Sequence, residues 1–398
     1  MNKRIFYGEY TLLHWIELIL QKNIVLPEYQ RSFVWSKEQV ESFLKNLKKG
    51  IFVPPIIIGS LEHNNGNENI ILDGQQRLSS ILLGYLGKFP KPDAFKSTDD
   101  PLFIVDNADD EDDEDESVVI EWSFRLLTNA ADNRTKASIL SKIDNAKYDI
   151  ISADALLDDA FINETFLGFS YIVPMTLDES EQQKFYSTVF HDINQQGVAL
   201  LGQESRKSLY YLNKDLVPFF DPQTVTSLLK VSQGGKVRRY DYVRLLAFLA
   251  EYKKKNSEVS VAKNCKGQEK FELYYESYIN SVVTDTDSPR FGKFSSEIGI
   301  RNVPHRIEKL KRYINLLEYG STFPTVIDAD AKLFGLVYQV LFLGKSMDEN
   351  KKDDLLNDLK QLIDNFKNDV KHRDHPNGLS HIRRRLKESI SIYSKYVL

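Results

Sequence analysis

Ile70-Ile71-Leu72-Asp73-Gly74-Gln75-Gln76-Arg77-Leu78 is the stretch whose reading decides the fold. Ile70–Leu72 is a short apolar run that reads as a buried strand, Asp73-Gly74 is a turn signal, and Ser79–Leu86 resumes in a helical rhythm. The segment predicts strand–turn–helix. A glycine at such a turn lets backbone approach a ligand closely, and a helix start directs N–H groups and a partial positive charge at that point. Anions are favoured there. Arg77 adds a planar fork for a phosphate, Gln75 and Gln76 donate or accept at short range, and Asp73 can orient a water, a metal ion or Arg77 itself. A plainer alternative fits the same residues: a helix cap, with Arg77 in a structural salt bridge.

A second polar cluster lies upstream. Ile24–Pro27 reads as a strand, and Glu28-Tyr29-Gln30-Arg31-Ser32-Phe33-Val34-Trp35 crowds Arg, Gln and aromatics into a non-helical connection. Ser36-Lys37-Glu38-Gln39 then has the spacing of a capping box, and Val40, Phe43, Leu44 and Leu47 recur on one face of a helix that Gly50 ends. Pro54-Pro55 and the apolar Ile56–Ile58 follow, and a polar loop at His63–Asn69 leads back to Ile70.

These blocks carry a resemblance. Leu26-Pro27-x-Tyr29-Gln30-Arg31-x-x-x-Trp35, Pro54-Pro55-Ile56 and Leu72-Asp73-Gly74-Gln75-Gln76-Arg77-Leu78, in that order, resemble the N-terminal domain family of the GmrSD type IV restriction endonucleases, GmrS-like. Val189-Phe190-x-x-Ile193-Asn194-x-x-Gly197-x-x-Leu200-x-x-x-Glu204-x-Arg206 resembles a later signature of the same family. Several ordered blocks are far more specific than any one alone. The resemblance implies an α+β domain of the ParB/sulfiredoxin-like type that binds and hydrolyses an NTP, GTP or ATP, with Mg²⁺. It also implies a place in restriction or phage defence against foreign or modified DNA. By the same resemblance Asp73, Gln76 and Arg77 are the catalytic candidates, and Gln30, Arg31, Gly74, Gln75, Asn194, Glu204 and Arg206 are the nucleotide-binding ones. The nuclease signature of relatives, a His followed by Pro with a later Asn and Lys, has no convincing copy after Asn213. The expectation is a nuclease supplied in trans or none at all.

Composition sets the frame. A chain of 398 residues, 42% hydrophobic and 27% charged, buries a real core and predicts more than one domain. Residues 1–178 are read as the ParB/sulfiredoxin-like domain and residues 179–398 as a mostly α-helical domain. Neither a signal peptide nor a long apolar run is apparent, so the expectation is a cytoplasmic protein without a membrane partner. The single cysteine, Cys265, excludes an intramolecular disulfide and a cysteine-rich zinc site. The net charge of −5 includes an all-acidic run, Asp109–Glu116, within an insertion at 106–116. A self-repelling block of this kind predicts a solvated loop, here the tip of a hairpin between Leu102–Val105 and Val118–Leu127.

The helical half has two basic clusters. Lys236-Val237-Arg238-Arg239-Tyr240 precedes a helix that holds Arg244, and Arg383-Arg384-Arg385-x-Lys387 follows His372, His375 and His381. Both could contact DNA phosphates, and both could equally be solvated helix faces. The histidines with Asp374 could hold a metal, but their spacing matches no established ligand pattern, so no metal is assigned. Two rivals to the NTPase reading stay open: a nuclease in its own right, and a non-enzymatic DNA-binding or adaptor protein in which the turn at Gly74 is structural.

Overall fold

The computed structural model describes residues 3–27, 33–63, 66–95, 100–103, 122–128, 135–176, 178–196, 202–233, 236–265, 267–319 and 322–398. They form a mixed α/β chain of two compact units, one of residues 1–98 and 114–208 and the other of residues 99–113 and 209–398.

The strands up to residue 174 are β1 (Lys3–Thr11), β2 (Ile24–Val25), β3 (Ile56–His63), β4 (Gly66–Asp73), β5 (Lys88–Pro90), β6 (Asp100–Phe103), β7 (Tyr148–Ile150) and β8 (Phe166–Pro174). The sheet of the first unit has the order β1-β8-β3-β4-β2. The β3–β4 and β1–β8 pairs are antiparallel, and the β3–β8 and β2–β4 pairs are parallel.

Helix α1 (Leu12–Leu20) starts where the Thr11 side chain accepts from His14 N–H at 3.2 Å. Its buried Leu12, Trp15, Ile16, Ile19 and Leu20 lie on one helical face, and Trp15 Nε1 donates to the Leu167 carbonyl at 3.1 Å, joining helix to sheet. Helix α2 (Lys37–Lys48) has the predicted capping box: Ser36 accepts from Gln39 N–H, and Gln39 accepts from Ser36 N–H at 2.8 Å. Helix α3 (Gln75–Leu86) follows β4 directly, and its Leu78, Ile81, Leu82 and Leu83 are buried.

The boundary between units differs from the one at 178/179 that composition suggested. Helix α7 (Glu179–Gln196) belongs to the first unit, together with α8 (Gly202–Tyr210) up to Ser208. The reason is Tyr186. Its hydroxyl accepts from Ser60 N–H at 2.8 Å and has the carbonyls of Ser60 and Ile172 at 2.7 and 2.9 Å. Its ring lies over Gly59, where a Cβ would collide with it. Tyr186, Ile70, Leu72 and Ile172 form a small apolar layer on that face of the sheet.

Of the expected hairpin with an acidic tip, residues 104–121 lie outside the described residues, and the described ends differ from the expectation. Strand β6 pairs in parallel with β10 (Lys236–Arg239) of the second unit, beside β9 (Lys230–Gln233) and β11 (Thr322–Phe323). Phe124–Thr128 is helix α4 instead of strand, because Phe124 and Leu127, one turn apart, are both buried. The run Asp109–Glu116 lies outside the described residues. Between α4 and β8 lie α5 (Lys136–Lys142) and α6 (Asp159–Glu164).

The rest of the second unit is helical. The helices Tyr242–Lys255, Gln268–Val283, Val303–Leu316, Val326–Val337, Lys352–Asn368 and Leu379–Tyr393 enclose its core. No helix among the described residues is long and apolar enough to cross a membrane.

Candidate functional site

The site is built at the junction of β4 and α3. Gly74 has φ 97° and ψ 11°, and it occupies the N-cap position without any side-chain cap. Only glycine adopts this conformation readily. Ile56, fully buried, lies against the position where a Cβ would be. Leu78 N–H bonds back to the Gly74 carbonyl at 2.9 Å and closes the first turn.

Three separate sequence blocks meet at this turn. Gln76, 7% exposed, accepts from the N–H groups of Val34 at 3.0 Å and Trp35 at 3.4 Å, which ties the upstream aromatic block to α3. Arg77 donates from one terminal nitrogen to the carbonyls of Pro54 and, at 3.2 Å, Pro55. Its other terminal nitrogen pairs with the Asp73 carboxylate. Proline has no N–H to offer, so this pair serves the arginine as acceptors only. The Asp73 side chain keeps 40% of its surface exposed, whereas Arg77 keeps 13%. Asp73 is therefore the acidic group that faces solvent, and Arg77 is the cation behind it.

The other site residues are spread more widely. Gln75 is buried beside Gln76 at the start of α3. Gln30 and Arg31 lie outside the described residues, and Asn194 and Glu204 are placed on α7 and α8 by backbone alone. Arg206 is almost fully buried in α8, at 1% exposed. Sequence reasoning missed the part played by the Pro54 and Pro55 carbonyls. The signal was a Pro-Pro pair standing directly before a buried strand.

The basic residues near the C-terminal end of the second unit have partners within that unit. Arg383 donates to the Val261 carbonyl at 2.9 Å, Arg384 to Glu388 at 2.9 Å and Asp369 at 3.2 Å, and Lys387 pairs with Glu258 at 2.6 Å. Arg244 and Arg385 both reach the fully buried Asp330, at 2.9 and 2.7 Å, and Tyr240 donates to it at 2.6 Å. Burial alone would raise the Asp330 carboxyl, but the two guanidiniums override it and hold it down to about 2. Arg244 and Arg385 are core residues and do not face solvent.

His372 belongs to the same network. It is fully buried, stacked on Phe366 at 4.5 Å, with Arg385 NH1 at 2.9 Å from its Nε2. Burial and the neighbouring Arg385 push it down to about 3. Among the described residues no group of three or more His, Cys, Asp or Glu side chains could hold a metal ion. Burial raises the Cys265 thiol, against the character of a reactive thiolate.

A pH dependence follows from these two groups. A histidine lowered by folding, from 6.5 to about 3, contributes stability that is full above 6.5 and lost as pH falls towards 3. Asp330, lowered from 3.8 to about 2, adds a further loss below 3.8. The thermal midpoint is expected to fall between pH 7 and 4 in the wild type and to fall less in His372→Gln, followed by calorimetry. Equal slopes in the two proteins would remove His372 from this account.

The fold and the turn define the class as a mixed α/β domain with a polar strand–turn–helix site. Residues 15–211 match the family described as GmrSD restriction endonuclease, N-terminal domain, and this part of the chain belongs to it. The domain type is thus that of a component of restriction and defence systems. The chain is also similar to the uncharacterized protein MJ0686 of Methanocaldococcus jannaschii, with 31% identity over 184 residues, which covers 40% of this chain and 29% of the relative. It therefore spans less than a third of that relative's length. No solved structure matches the chain.

Proposed function

We propose that the first unit binds a nucleoside triphosphate at the start of α3 and hydrolyses it, as the sensor of a defence system that acts on foreign or modified DNA. The observation that carries this reading is the α3 N-terminus itself: it has no side-chain cap, it begins at a left-handed glycine, and an exposed carboxylate and a guanidinium flank it. Phosphoryl transfer asks chiefly for positioning and for neutralised charge. The first-turn N–H groups receive phosphate oxygens, Arg77 supplies positive charge, and Asp73, with Gln76 behind it, positions water. Asp73 would hold Mg²⁺ here, since such ions commonly take one or two carboxylates from the protein, and the ion would supply further positive charge. The DNA and a nuclease acting in trans enter on the strength of the family.

A second reading has its own observation. Arg77 is already held by Asp73 and two backbone carbonyls, as a purely structural brace would be. In that case the domain is an adaptor. One experiment separates the two: turnover of the four ribonucleoside triphosphates with Mg²⁺, with and without DNA, in wild type, Asp73→Asn and Arg77→Ala. The NTPase reading expects turnover that drops by roughly 100-fold or more in both variants, with folding checked by circular dichroism. Absence of turnover and of nucleotide binding in the wild type would put the adaptor reading first.

A further inference from the structure

Strand β1 is an outer edge of the first unit's sheet and spans 9 residues, whereas the opposite edge, β2, spans only 2. Long edge strands offer a row of backbone donors and acceptors, and proteins commonly shorten, bulge or cover them. None of these devices is seen on β1 among the described residues. Its pairing with β8 runs without a register shift from Lys3 to Thr11. Exposed on it are Ile5 (38%), Phe6 (49%) and Tyr7 (77%), an apolar stretch between charged ends.

We propose that β1 pairs antiparallel with β1 of a second copy of this chain, across a two-fold axis at Phe6. The order of residues supports this partner over any other. Side chains alternate between faces, so an antiparallel copy related by an axis normal to the sheet keeps each face matched only when a residue pairs with itself at the centre. With Phe6 there, Lys3 stands opposite Glu9 of the copy, and Ile5 stands opposite Tyr7. One face then reads charge, apolar, apolar, opposite charge on both copies. On the other face Phe6 meets Phe6, and Arg4 stands opposite Gly8, where the Phe169 ring fills the space a side chain would take. The strand is thus complementary to itself in charge and in apolar content, and opposed pairs of this kind are what stabilise a ladder. The two sheets become one continuous sheet. This inference does not depend on the nucleotide reading.

The test is sedimentation equilibrium on the full chain. A dimer is expected in wild type, its dissociation constant raised about tenfold or more in Glu9→Lys or Lys3→Glu, and restored in the Lys3→Glu/Glu9→Lys double variant. Both positions are exposed, so the fold is expected to survive. Phe6→Cys, in a Cys265→Ser background, is expected to cross-link two copies on mild oxidation, because directly opposed strand residues have Cα atoms about 4.5–5.5 Å apart, within disulfide reach. A wild type that stays monomeric up to about 100 μM would overturn the proposal. So would a dimer indifferent to both charge reversals.

Discussion

Asp330→Asn is expected to destabilise the second unit by about 3–5 kcal/mol, because it strips the carboxylate that both buried guanidiniums share. For a unit of this size that is a fall in thermal midpoint of roughly 10 °C. Neither arginine can turn to water: Arg244 and Arg385 are 1% and 0% exposed. An asparagine keeps the shape and one acceptor but not the charge, so two like charges remain facing each other in a poor dielectric. Replacing the three residues together with apolar ones, as in Arg244→Met/Asp330→Leu/Arg385→Met, is expected to recover much of the loss, since desolvation of the ions disappears with their attraction. Calorimetry on the single and triple variants checks both statements. A single variant within 1 kcal/mol of wild type would mean that the network contributes little.

Gly74→Ala is the second large effect. The substitution combines a left-handed backbone that L residues adopt reluctantly with a Cβ placed on the Ile56 side chain, and it is expected to cost about 2–4 kcal/mol. Trimming the obstacle in Gly74→Ala/Ile56→Ala relieves the collision but not the backbone. The double variant should therefore lose less than the sum of the two single losses, and this non-additivity is the readout by denaturant unfolding. Simple additivity would show that Ile56 does not oppose the new methyl. Substrate turnover measured on the same proteins, at temperatures where they remain folded, tests the nucleotide reading separately.

The first unit was legible where local chemistry and burial agree. Asp73-Gly74 ended a strand and began a helix as read, and Ser36 with Gln39 capped the preceding helix through a box contained in four consecutive residues. That Gln76 accepts from the Val34 and Trp35 N–H groups is a contact that the order of the blocks did not specify. Long-range pairing was less legible. Nothing local in Asp100–Phe103 announces that its strand partner is Lys236–Arg239. Nor does Glu179–Gln196 announce that Tyr186 will reach Ser60, which is what sets the boundary between units. The arginines misled for a related reason. Read as charge runs, Arg244 and Arg385 belong on a surface, yet Arg385 shares helical spacing with the buried Ile382, Leu386 and Ile390, and Asp330 lies between the buried Ala329 and Ala331 in the helix Val326–Val337.

The excursion that carries β6 also has a bearing on biosynthesis. The ribosome delivers β6 before most of the first unit's second half and long before β10, its only ladder partner among the described strands. The nascent chain must keep this segment out of the first unit while that unit folds, then hand it to a sheet that does not yet exist. A truncation after Ser208 reproduces that waiting state permanently, and one that starts at Leu209 lacks the strand altogether. Neither half of this gene product is a self-contained piece, and expression of either alone should yield chains that seek their missing edge in one another.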